Sequence, residues 1–283
     1  MIEQNLLYPK QPNRYLNNGL RLKPTTLIIG AKCSDGVVLT GDRKVTSGLG
    51  DTYIDKIRKC PNRNWAVFGA AGIGTLFEEF LTKLPPKIET HANWIQYQNQ
   101  RLLTRHSKEF GNAPNITSPP TMIYNAQDFK QDCVELLTEM RKQYSIAFAD
   151  PNCRLDVLIG LAVTNEPSKL FYIDSAYCLP AEVNDVITIG QTGLAEVFRK
   201  SWESTMTMKQ TAMLGMFAIT YIEQEGISDG IGIGSQQPQV WYIPNDRTQR
   251  LREVTGEELT AMVKSVDEQV SALRTQMHSL FRS

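Results

Sequence analysis

Little in this sequence can grip a metal ion. The cysteines, Cys33, Cys60, Cys133, Cys153 and Cys178, are odd in number, scattered and never in a CxxC pair, which argues against both a zinc ribbon and a dithiol redox couple. His91, His106 and His278 are the only histidines, none in an HExxH or paired spacing, and they are expected at the surface with no metal among them. No cofactor is expected either. An excess of charge of one sign is missing as well. Lys plus Arg and Asp plus Glu both number 30, so no overall basic field recommends a nucleic acid or an anionic membrane as partner. No run of about 18 apolar residues could span a bilayer, and the polar opening MIEQNLLYPKQPNRYLNNGLRLKP lacks the apolar core of a signal peptide. A reduced, cytoplasmic setting fits these absences best.

What is present is ordinary globular material: 283 residues, 41% hydrophobic and 21% charged, enough to bury a substantial core. Thr26 to Thr40 mixes β-branched residues around Ser34-Asp35-Gly36 and reads as two strands in a hairpin. A short strand around NWAVF ends in GAAGIG, and TLFEEFLTKL then places Leu76, Phe80 and Leu84 at helical spacing, with a stop expected at Pro85-Pro86. Residues 85–122 read as an extended helical connection, in which WIQYQNQRLLTRHSKEF forms a helix of its own. Ala126 to Gln143 is amphipathic, with Phe129, Cys133, Leu136, Leu137 and Met140 along one face. Strands follow at LDVLIGLAV, KLFYIDSAY and VITIG, and helices at GLAEVFRKSW and KQTAMLGMFAITYIEQEG. GIGIGS and QVWYIP read as late strands, and a long amphipathic helix closes the chain. Blocks of strands separated and followed by pairs of helices predict an α+β fold, a four-layer α-β-β-α sandwich of two sheets with helices on both outer sides. The expected organisation is a leader at 1–25 and one domain at 26–283, with a C-terminal helical extension at about 256–283.

The stretch PTTLIIGAKCSDGVVLTGDRK raises a chemical question, because two hydroxyls stand directly before an apolar strand. A threonine hydroxyl attacks well only when a base takes its proton, and its own α-amino group is such a base once cleavage exposes it. That amine has an ordinary pKa of about 7.7–8.0, so part of it is neutral near pH 7. Two threonines at a strand start are also simply good strand formers. Asp42, Arg43 and Lys44 put both signs of charge at the end of the second strand, and Lys56 stands in an alternating run where a buried ammonium needs a carboxylate such as Asp42.

TTLIIGAKCSDGVVLTGDRKVTSG, DKI and AVFGAAGIGTLFEEF together resemble the catalytic β subunits of the 20S proteasome and their relatives, the N-terminal nucleophile (Ntn) hydrolases; VITIGQTG and EQEGISDG extend the likeness. The resemblance implies an Ntn hydrolase sandwich of two antiparallel sheets, autocatalytic removal of the leader, and a threonine peptidase acting on a peptide or protein substrate. It also implies assembly into a homo-oligomer or a proteasome-like ring. Thr26 stands sixteen residues before Asp42, the separation the family keeps between nucleophile and acid, and so matches the nucleophile. Thr25 is the alternative, because the family opens with two threonines. Lys56 matches the lysine that favours proton loss from the threonine, Asp42 the acid that fixes it, and Gly69 the glycine whose N–H forms the oxyanion hole at a strand-to-helix turn. Glu225 and Ser228 match the aspartate and serine that support the terminal amine. Gln191 stands where serine is usual, Lys44 where arginine is frequent, and Glu225 replaces aspartate.

Two other readings stay open. An α-type or structural proteasome-like subunit shares the glycine and lysine pattern of the first strand and is catalytically silent, although the family's α-type opening helix has no counterpart in this leader. A nucleotide-binding oxidoreductase is the remote alternative, because Gly69-Ala-Ala-Gly72-Ile-Gly74 after a strand imitates a dinucleotide turn.

Overall fold

The computed structural model describes residues 26–47, 50–110, 124–149, 155–163, 166–190, 199–227, 231–232, 236–246 and 248–282. The hairpin read from the sequence is there. β1 (Leu27–Cys33) and β2 (Gly36–Gly41) pair antiparallel around the Ser34-Asp35 turn, in an unbroken register from Ile28 opposite Gly41 to Cys33 opposite Gly36. β3 (Lys44–Ser47) and β4 (Gly50–Tyr53) make a small separate ribbon, and β5 (Ile57–Lys59) leads into β6 (Ala66–Ala71). The chain continues through α1 (Gly74–Phe110), α2 (Ala126–Gln143), α3 (Ser145–Ala149), β7 (Asp156–Leu161), β8 (Lys169–Asp174), β9 (Leu179–Val183) and β10 (Val186–Gly190). It ends with α4 (Met208–Gln224), β11 (Gln239–Pro244), β12 (Arg252–Glu253) and α5 (Gly256–Arg282). Of the predicted strand GIGIGS and helix GLAEVFRKSW, most residues lie outside the described ones.

One sheet has the order β10-β1-β2-β11-β12 and the other β5-β6-β7-β8-β9. Every pairing in both is antiparallel. Three apolar seams join four layers. Ile28, Leu39, Val67, Leu158 and Ile243 fill the space between the sheets. Phe68, Phe80, Phe129 and Leu137 glue α1 and α2 to the second sheet. Leu27, Met216, Ile219, Val240 and Val266 glue α4 and α5 to the first. The α-β-β-α order follows, because each sheet buries both faces and each helix pair only one. With no parallel βαβ unit among the described strands, the glycine turn after β6 cannot be a dinucleotide cradle, and the oxidoreductase reading is withdrawn.

The five residues predicted for the inner face of α2 are all buried, and Asn125 caps the helix by accepting from the Gln127 and Asp128 N–H groups while Asp128 returns a bond to Asn125 N–H. The expected stop at Pro85-Pro86 is wrong: α1 runs through both prolines without a break. Packing on α2 overrides the local cost. Leu84 and Ile88 are buried on either side of the pair, and Lys87 reaches Glu139 at 3.0 Å and Glu135 at 3.1 Å. His91 is likewise not a plain surface histidine. Its Nδ1 lies 2.9 Å from Oδ1 of the buried Asp132, which also accepts from the Tyr124 hydroxyl at 2.6 Å, so the three side chains lock α1 to α2.

Candidate active site

β1 and β2 share a ladder that ends in an unusual way. Asp42 follows β2, and its N–H donates to the Leu27 carbonyl at 3.1 Å, as the next rung would. The Leu27 N–H is met not by a main-chain carbonyl but by the Asp42 carboxylate, Oδ1 at 2.8 Å. The side chain thereby extends the sheet to the residue directly after Thr26 and still has its second oxygen to offer. Lys56 Nζ takes that oxygen at 2.8 Å and also donates to the Lys44 carbonyl at the base of the β3–β4 ribbon. Asp42 is fully buried, Lys56 is 4% exposed and Thr26 8%. Burial pushes the Asp42 carboxyl up to about 6 despite the pull of Lys56, and burial lowers Lys56 despite the pull of Asp42.

Lys56 is held from behind as well. Gln239, at the start of β11 in the other sheet and 1% exposed, accepts from the Lys56 N–H at 2.6 Å and from the Ile57 N–H at 2.9 Å through the same Oε1. Its Nε2 donates to the Ile57 carbonyl at 3.0 Å. Arg43 ties the neighbouring chain ends together, through Nε to the Gln237 carbonyl at 2.7 Å and through ion pairs with Asp55 and Glu253. Sequence reasoning missed Gln239. The one available signal was a polar residue opening the otherwise apolar QVWYIP.

Gly69 lies within β6, opposite Ile57 on one side and Leu158 on the other, and not at the strand-to-helix turn where it was expected. The turn comes later, at Gly72, whose φ is +132°. A Cβ on Gly69 would stand 3.0 Å from Ile28 Cγ2, so glycine lets the two sheets close up beside the start of β1. Gly190, also missed, is tighter still. It pairs with Leu27 at φ +86°, and a Cβ there would fall 1.9 Å from the Thr26 carbonyl oxygen. Gly190→Ala is therefore expected to displace Thr26 and to destabilise the fold by at least about 1–3 kcal/mol; chemical unfolding checks it, and a wild-type midpoint would contradict it.

Glu225 is not brought to Thr26 by any described contact. It ends α4, and Arg274 of α5 takes its carboxylate at 2.7 Å. Ser228, Thr25 and Gln191 lie outside the described residues. Among the described residues no cluster of three or more His, Cys, Asp or Glu side chains could hold a metal, and no helix is long and apolar enough to cross a membrane.

No protein-family profile matches the chain. It is 26% identical over 249 residues to the proteasome subunit alpha of Archaeoglobus fulgidus, covering 87% of this chain and 84% of that one. Anbu from Yersinia bercovieri, described as an ancestral beta-subunit, superposes with a TM-score of 0.59 at 13% identity, over 89% of this chain and 97% of its own. The fold is the Ntn hydrolase sandwich. Anbu from Hyphomicrobium sp. strain MC1 shares that sandwich at a TM-score of 0.56 and 15% identity, over 89% of this chain and 97% of its own. Within the sandwich, Asp42 joins the Lys56 ammonium to the N–H of Leu27, the residue that follows Thr26.

Proposed function

We propose that this chain is a threonine-type peptidase that loses residues 1–25 and attacks peptide bonds with the Thr26 hydroxyl. The observation that carries the reading is the buried relay from Leu27 N–H through Asp42 to the Lys56 ammonium, built against the residue that would become the N-terminus. In the proposed reaction the freed amine takes the hydroxyl proton, the oxygen bonds to the substrate carbonyl carbon, and Lys56 stabilises the charge on the oxygen. The carbon–nitrogen bond breaks, the proton leaves with the amine product, and water then releases the acyl group from Thr26. The proposed setting is a homo-oligomer or ring in the cytoplasm. Intact-mass measurement of the purified protein tests the reading directly: a chain beginning at Thr26 supports it, and an active preparation still carrying Met1 removes it.

The pH profile gives a second test. The terminal amine must be neutral, so kcat/KM falls with slope one below about 7.7–8.0. Below about 6 Asp42 also takes a proton and the ammonium loses its counter-charge, so the slope steepens to two. An acid limb that keeps slope one down to about pH 5 contradicts the role given to Asp42.

A second reading is a structural subunit without turnover. Two observations favour it: the relative from Archaeoglobus fulgidus is a subunit alpha, and Glu225 is engaged by Arg274. Such a subunit keeps residues 1–25 and hydrolyses nothing.

A further inference from the structure

We infer that Gln239 is a positioning residue for the proposed reaction, a side-chain clamp that fixes Lys56 from the opposite sheet. The inference rests on the role proposed above for Lys56 and adds the device that holds it. β5 is an edge strand, and its first residue, Ile57, follows Lys56 directly. The Lys56 carbonyl is bound by the Ala70 N–H at 3.1 Å, so β6 holds one side of this residue. The Lys56 and Ile57 N–H groups and the Ile57 carbonyl are all taken by one amide, which presents an acceptor and a donor as a neighbouring strand would.

The clamp also belongs to the sheet that carries Asp42. β11 pairs with β2 in a register that sets Gln239 opposite Gly41, the residue before Asp42. Gln239 and Asp42 are thus fixed on adjacent strands of one sheet, and both reach across to Lys56, one to its main chain and one to its ammonium. Without the amide, three buried main-chain groups would have to find new partners, and the strand start carrying Lys56 would shift away from Asp42. A displacement of about 1 Å at a catalytic group lowers turnover by up to roughly a hundredfold, with substrate binding unaffected.

The test compares the full chain with Gln239→Met, which keeps the size and loses all three bonds, and Gln239→Glu, which keeps the acceptor and loses the donor. Two readouts are taken on variants whose near-ultraviolet circular dichroism shows a native fold. One is the titration of the Lys56 side chain by NMR, assigned by its absence from Lys56→Arg. The other is kcat and KM on a general peptide substrate. Expected for Gln239→Met are a Lys56 titration moved toward the ordinary lysine range and a kcat lower by roughly ten- to a hundredfold at unchanged KM, with Gln239→Glu in between. A folded Gln239→Met with wild-type titration and wild-type kcat overturns the inference. Should Gln239→Met fail to fold, a Gln239→Glu that matches wild type in both readouts overturns it equally. A wild-type chain that cleaves nothing sinks the peptidase reading alone, and the titration then decides whether Gln239 positions Lys56.

Discussion

Lys56→Met lowers the stability of the folded chain by roughly 3–5 kcal/mol at neutral pH, the cost of leaving a buried charge without its partner. The expectation follows from burial: Asp42 is 0% and Lys56 4% exposed, so the carboxylate abandoned by the substitution has no water to turn to. Only the Leu27 and Gly232 N–H groups and the interior remain to stabilise it. The sign of the pH dependence is fixed by Asp42. Its folded carboxyl already stands raised, at about 6, above the ordinary value near 3.9, and losing the ammonium raises it further. A group raised in this way contributes stability below its unfolded value and loses that contribution as pH climbs through the folded one. The deficit of Lys56→Met is therefore largest at neutral and alkaline pH and shrinks as pH falls toward about 6, where the wild-type carboxyl also takes its proton. Adding Asp42→Asn restores much of the loss, because a neutral amide replaces the stranded charge. Chaotrope unfolding of both variants at two pH values measures this. A deficit independent of pH, or a double variant weaker than the sum of the singles, means that the pair is not coupled as its geometry shows.

Thr26→Ala abolishes both removal of residues 1–25 and all peptide hydrolysis, whereas Thr25→Ala slows maturation at most. The β1–β2 register supports this assignment. From Ile28 to Cys33 the pairing advances one residue for one, and Asp42 falls opposite Leu27 with no bulge to absorb an insertion. A nucleophile at Thr25 would be separated from Asp42 by one more residue, which this register does not absorb. Intact mass and peptide turnover of the two alanine variants decide the matter. A dead Thr25→Ala beside an active, processed Thr26→Ala moves the nucleophile by one position.

The sandwich was legible because its signals are local. The period of Phe129, Cys133, Leu136, Leu137 and Met140 marked the buried face of α2, and the Ser34-Asp35-Gly36 turn marked the first hairpin. The Asp42–Lys56 pair was within reach because a lysine in an apolar run demands a carboxylate, and one stood nearby. Gln239 was out of reach because it meets Ile57 across 182 residues, and nothing in the composition of β11 says which strand its amide will serve. Gly190 was hidden for the same reason, its meaning residing in a carbonyl brought against it by β1. Glu225 looked right by position, but its neighbour in space is Arg274. The proline pair misled in the opposite direction, since a rule true of isolated helices gave way to the grip of α2.

That grip does not repair what the prolines remove. Pro85 and Pro86 have no N–H to give to the carbonyls of Leu81 and Thr82, so two successive rungs are missing from the backbone ladder of α1. In shape α1 is one rod, yet cooperativity passes along a helix through those rungs. Amide hydrogen exchange is accordingly expected to divide the rod at residue 85, into a proximal part held on the sheet by Leu76, Phe80 and Leu84 and a distal part held on α2 by Lys87, Ile88 and His91.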